Sequence, residues 1–143
     1  MIYITNSEKE TFELGKTIAN KTKSGYIFLV NGELGVGKSV LIRGIAAGLG
    51  IQEPMPSPTF TIVNEYIGKE KIYHFDLYRI NEPFELFEIG FEEYIYSNAV
   101  IFIEWPSKAG DLLPSSERCI RIDIKIKDND KREIIIEGFN EKG

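Results

Sequence analysis

Residues 26–39, YIFLVNGELGVGKS, decide the fold. Tyr26 to Val30 is an apolar run without alternation, which is how a strand covered on both faces reads in a parallel sheet. It runs directly into Gly32, four further residues, and Gly37-Lys38-Ser39, the spacing of a phosphate-binding loop. Beyond Lys38, the positions Leu41, Ile45, Gly48 and Leu49 recur at helical spacing, and Gly50 supplies a stop. Strand, glycine-rich loop and helix therefore stand in the order that the phosphate loop requires.

The loop chemistry dictates its residue types. Glycines at 35 and 37 let successive backbone N–H groups turn inward around phosphate oxygens, and the following helix adds the positive end of its dipole. Lys38 is placed to reach β and γ phosphates, and the Ser39 hydroxyl to ligate Mg²⁺. The nucleotide-holding set on this reading is Gly32, Glu33, Leu34, Gly35, Val36, Gly37, Lys38, Ser39 and Val40.

A second acid has to hold the metal or position water. AVIFIEW, residues 99–105, is another run of buried-strand type, and it ends at Glu104. A carboxylate after such a run is awkward unless it meets a cation, although a surface acid at a strand end is the plain alternative. Asp76, within YHFDLYR, is the other candidate. Alternation sets it opposite Phe75 and Leu77, together with His74 and Tyr78, so a solvent-facing strand is also open. His74 reads as a packed or hydrogen-bonded strand residue rather than a base, and the chain's single histidine excludes a His-rich zinc site. Thr59 follows prolines at 54, 56 and 58 in an extended loop. It is a candidate γ-phosphate sensor or simply the start of a strand.

The remainder of the chain fits around this centre. Residues 2–5 suit a short strand. Ser7 with Glu10 reads as a capping box, opening a helix whose face carries Phe12, Gly15, Ile18, Ala19 and Thr22 up to Ser24-Gly25. Strands at about 60–67 and 71–78 make a hairpin, and NEPFELFEIGFEEYIYS reads as one or two short helices. Ile120, Ile122, Ile124 and Ile126 alternate with charged residues, and DND at 128–130 turns the chain into a last strand at about 132–137. The expected architecture is α/β: a P-loop NTPase-like three-layer sandwich. Its mixed, mainly parallel sheet has helices on both faces and an antiparallel C-terminal hairpin at an edge.

Composition bounds the rest. With 143 residues, 43% hydrophobic and 27% charged, one P-loop domain spanning 1–143 is expected. A net charge of −5 argues against a surface built to hold a nucleic-acid backbone. The lone Cys119 forms no internal disulfide and suits a reducing compartment. The start has no basic, apolar leader and no run approaches a bilayer span, so a cytoplasmic protein without membrane contact is expected. Adenine is preferred because no Asn-Lys-x-Asp guanine motif occurs, and an Arg-rich lid of the metabolite-kinase type is absent.

GELGVGKS, SPTFTIVNEY, YHFDLYRI, ELFEIGFEEY and IEWP, in this order, closely resemble the bacterial TsaE (YjeE) family over roughly residues 7 to 115. The resemblance implies a Mg²⁺-dependent ATPase required for threonylcarbamoyladenosine modification of tRNA, on the adenosine beside the anticodon. Such a protein docks on the TsaB–TsaD pair and meets tRNA only through it. TsaD performs the transfer and TsaC makes the threonylcarbamoyl-adenylate. Carried over by position, Lys38, Glu104, Asp76 and Thr59 become the catalytic set, and Ser39, Glu104 and Asp76 the Mg²⁺ ligands. The segment around Thr11 becomes a wall of the adenine site, and Trp105 matches the aromatic after the acid. Ser39 stands where Thr is common, Glu33 where Asp is, and Val36 where Ala is frequent. Two other readings stay open: a nucleotide-gated interaction module in which binding rather than hydrolysis matters, and a small phosphotransferase.

Overall fold

In the computed structural model, residues 1–33, 35–58, 61–114 and 117–139 are described. They form a seven-stranded sheet with helices on both faces. The strands are β1 (Ile2–Thr5), β2 (Ile27–Asn31), β3 (Val63–Ile67), β4 (Lys71–Asp76), β5 (Val100–Glu104), β6 (Cys119–Asp128) and β7 (Lys131–Glu137). The helices are α1 (Glu8–Ala19), α2 (Lys38–Gly48), α3 (Pro83–Glu88) and α4 (Phe91–Ile95), with a 3₁₀ segment at Pro106–Leu112.

The spatial order is β1-β7-β6-β2-β5-β4-β3. β2 is parallel to both of its neighbours, β5 and β6, and β4 is parallel to β5. This places the two unalternating apolar runs side by side in the middle, where both faces are covered. The C-terminal pair β6–β7 is antiparallel, as expected. It lies one place further in than the sequence suggests, because β1 pairs with β7 and forms the edge itself.

Two-residue alternation divides the core. Phe28, Val30, Ile72, Val100 and Phe102 face the layer of α1 and α2, where Leu41, Ile42, Ile45 and Ile18 meet them. Ile27, Leu29, Phe75, Ile101 and Ile103 face α3 and α4, through Leu86, Phe91 and Ile95. The Phe28 and Phe102 rings stack at 5.2 Å, linking the central strands on the α2 side.

α1 starts as its sequence directs: Ser7 Oγ accepts from the Glu10 N–H at 3.1 Å. The return bond of a capping box is displaced by one residue, since Glu10 Oε1 accepts from the Asn6 N–H. The helix ends at Ala19, short of Ser24, and the Thr22 hydroxyl donates back to the Ile18 carbonyl. α1 and α2 touch backbone to backbone. A methyl group at Gly15 would stand 2.6 Å from the Leu41 oxygen, and one at Gly44 would collide with the Phe12 carbonyl.

Candidate functional site

The candidate site lies at the carboxyl ends of the parallel strands, where open α/β sheets hold their ligands. β2 delivers the chain into the loop, and Gly35 (φ 80°) and Gly37 (φ 108°) take the left-handed conformations that the tight turn requires. Gly32 (φ 158°) is required for a further reason. A Cβ there would meet Val36 Cγ2 at 2.7 Å, and Val36 is buried in the core as the plug beneath the loop. Gly37 caps α2 without a side-chain hydrogen bond, and the first turn carries no acid. The N–H groups there are available to an anion.

Alternation then accounts for the acids. Ile72, His74 and Asp76 of β4 lie on the α2 side with Val100, Phe102 and Glu104 of β5, and Asp76 is the register partner of Glu104. Both carboxylates are buried, 6% and 5% exposed, at the strand ends opposite Lys38. The solvent-facing reading of Asp76 and the surface reading of Glu104 are thereby removed. Asp76 Oδ1 accepts from the Tyr78 N–H at 3.0 Å, and Glu104 Oε2 lies 2.7 Å from His74 Nε2.

Lys38 Nζ donates to the Gly32 carbonyl at 2.6 Å and sits over the Trp105 ring, 4.0 Å from its centroid. Burial lowers the pKa of this ammonium, while the charges of Glu104 and Asp76 work in the opposite direction. Trp105 holds a left-handed backbone (φ 58°), and its ring also packs on Tyr78 at 5.1 Å. This residue is part of the cleft wall.

The expected residues divide among three adjoining hollows. Lys38, Ser39, Asp76 and Glu104 share a cleft of about 270 Å³ with Gly35, Gly37, Val40, Glu8, Ser57 and Trp105. Thr11 lines a side cavity of about 310 Å³ with Gly35, Gly37 and Val40, and its hydroxyl is 2.7 Å from that of Thr5. Gly32, Glu33 and Val36 border a separate groove together with Trp105 and the end of β6. Leu34 and Thr59 lie outside the described residues.

Sequence reasoning missed Arg132. From β7 its Nε donates to the Val36 carbonyl at 2.8 Å, and its Nη1 donates to the Asn129 carbonyl at 3.0 Å, so it braces the phosphate loop from the far end of the chain. No local motif signals this, because the contact depends on β7 lying two strands from β2. His74 is the hydrogen-bonded strand residue expected, and only its partner, Glu104, is beyond a local reading, because the bond crosses between strands.

Among the described residues, no three His, Cys, Asp or Glu side chains form a self-sufficient metal site. A hydroxyl and two carboxylates instead suit Mg²⁺, which is held by one or two acids together with substrate phosphates.

The family model for the threonylcarbamoyl adenosine biosynthesis protein TsaE matches residues 5–134. The chain is 33% identical over 133 residues to the tRNA threonylcarbamoyladenosine biosynthesis protein TsaE of Treponema pallidum (strain Nichols), covering 93% of this chain and 97% of that protein. The protein of the same name from Rickettsia typhi (strain ATCC VR-144 / Wilmington) is 40% identical over 141 residues, with 97% and 96% covered. The crystal structure of YdiB from Bacillus subtilis superposes with a TM-score of 0.79 at 32% identity, over 94% of this chain and 82% of that one.

Proposed function

The chain belongs to the TsaE family, and on that premise we propose that it is a Mg²⁺-dependent ATPase required for threonylcarbamoyladenosine modification of tRNA, acting in the cytoplasm with the TsaB–TsaD pair. The observation that carries the ATPase reading is the pairing of Asp76 with Glu104 at the ends of adjacent parallel strands, in one cleft with Lys38 and Ser39. No helix among the described residues is long and apolar enough to cross a membrane.

In this reading the N–H groups around Gly35, Gly37 and the first turn of α2 cradle the phosphates, and Lys38 leaves Gly32 to bridge the β and γ oxygens. Ser39, Asp76 and Glu104 supply the oxygens that hold Mg²⁺, which when bound neutralises charge developing on the phosphates. The Glu104 carboxylate also orients the water whose oxygen attacks the γ-phosphorus as the bond to the ADP oxygen breaks. The cavity beside Thr11 receives the adenine end. Thr59 follows Ser57 and Pro58 in the chain, and Ser57 is already in the cleft, which supports a γ-phosphate contact for this loop. With a net charge of −5, the chain leaves tRNA to its partners.

The test is ATP hydrolysis by the purified chain with Mg²⁺, alone and with TsaB–TsaD, with Lys38→Ala as the control for contaminating activity. Stimulation by the pair that vanishes in Lys38→Ala is the expected result. Turnover indifferent to the pair would end the partner-coupled reading. Repeated rounds of tRNA modification with a non-hydrolysable ATP analogue would end the requirement for hydrolysis.

A further inference from the structure

We propose that His74 is a positioning residue for Glu104: as an Nε2–H donor it fixes one carboxylate oxygen and leaves the other for the cleft. The inference rests on the nucleotide reading of that cleft for its purpose, and on geometry alone for its existence.

The two side chains are 2.7 Å apart and almost fully enclosed, His74 at 3% and Glu104 at 5% exposure. The contact is diagonal. His74 stands in register with Phe102 and Asp76 with Glu104, so the imidazole reaches one pleat forward along the neighbouring strand. Its ring is held edge-on to Phe102, with centroids 6.4 Å apart. A carboxylate only accepts, so the proton of this bond belongs to Nε2. Nδ1 is buried and has no hydrogen-bond partner among the described residues. The arrangement suits an imidazole that donates from Nε2 to the Glu104 carboxylate.

This has a consequence for the acid. A glutamate has three rotatable bonds, and at a strand end beside a cleft its carboxylate would otherwise sample several directions, including toward Lys38. Holding Oε2 from behind leaves Oε1 as the oxygen that Glu104 offers to the metal or water, in a direction set by the β4–β5 register. Outer partners that orient a ligand in this way are typically worth about 10- to 100-fold in activity or metal affinity.

The chain's single histidine makes the test direct. Nitrogen-15 NMR of the histidine-labelled full chain reads the tautomer, and Mg²⁺-dependent ATP turnover with the TsaB–TsaD pair is measured for His74→Leu, His74→Gln and Glu104→Gln. The expected spectrum is that of one fixed Nε2–H imidazole, altered in Glu104→Gln. The expected kinetics are a loss of about tenfold or more in kcat for His74→Leu, with KM for ATP little changed, more Mg²⁺ needed for half-maximal turnover, and substantial recovery in His74→Gln, whose amide N–H can replace Nε2–H. An Nδ1–H or averaging imidazole overturns the geometry, even if Glu104→Gln proves inactive. Wild-type turnover and Mg²⁺ requirement in His74→Leu, or a Gln variant no better than Leu, overturns the positioning role. A fixed Nε2–H spectrum with full turnover in Glu104→Gln instead locates the failure in the nucleotide reading and removes the pair's catalytic purpose.

Discussion

The ammonium of Lys38 lies over the face of Trp105, 4.0 Å from the ring centroid, while it donates to the carbonyl of Gly32. Both contacts occupy the group that the phosphate loop needs for its ligand. Trp105 is the chain's only tryptophan, so its emission reports on this cation. Titration with Mg²⁺ and ATP is expected to give a saturable change in fluorescence as Lys38 moves to the phosphates. In Lys38→Met the ammonium-dependent change should be lost. An identical titration in that variant would show that the ring does not sense the lysine.

Burial also makes Lys38 a liability to the fold. Its pKa is lowered from 10.5, chiefly by desolvation, so the unfolded chain holds this proton more tightly than the folded one. The charged form thus costs stability at neutral pH, and the cost fades as pH rises through the lowered value toward 10.5. Lys38→Met should melt at a higher temperature than the parent near pH 7, and thermal denaturation across pH should show the gap closing in alkali. A less stable variant at neutral pH would mean that the bond to Gly32 and the contact with Trp105 outweigh desolvation.

Arg132 offers a test of the loop. Removing its guanidinium frees the Val36 carbonyl and widens the cavity beside Thr11, which Arg132 also lines. Arg132→Ala should raise the calorimetric Kd for ATP about tenfold, equivalent to about 1.4 kcal/mol, with much less effect on the unfolding midpoint. Unchanged affinity would show that the loop holds its shape without this brace.

The glycine contact between α1 and α2 should be intolerant. A methyl at Gly44 would run into the Phe12 carbonyl and stand 3.1 Å from the Gly15 Cα, and these are backbone atoms that cannot rotate aside. Gly44→Ala should cost about 1–3 kcal/mol in chemical denaturation, despite the better helix propensity of alanine. A gain in stability would mean that the two helices can separate at little cost.

What was legible beforehand follows from the range of each interaction. The runs at 26–30 and 99–103, the phosphate loop and the acid at 104 were readable because their signals lie within a few consecutive residues. The burial of Asp76 is not legible locally, since alternation assigns a face but not what covers it. The displaced return bond of Glu10, the position of β1 outside β7, the bond from His74 to Glu104 and the reach of Arg132 all depend on register or strand order. Those are properties of the assembled sheet, and no local pattern carries them.

The placement of β2 has a consequence for how the molecule is made. This strand leaves the ribosome before its neighbours, which come from residues 100–104 and 119–128, and before the brace on its loop at residue 132. Vectorial synthesis therefore exposes this apolar strand and its glycine-rich extension, without their neighbours in the sheet, until residues 100–128 have followed. The phosphate loop is thus synthesised before the residues that fix its shape, so a chain truncated before β7 would carry the motif without its brace.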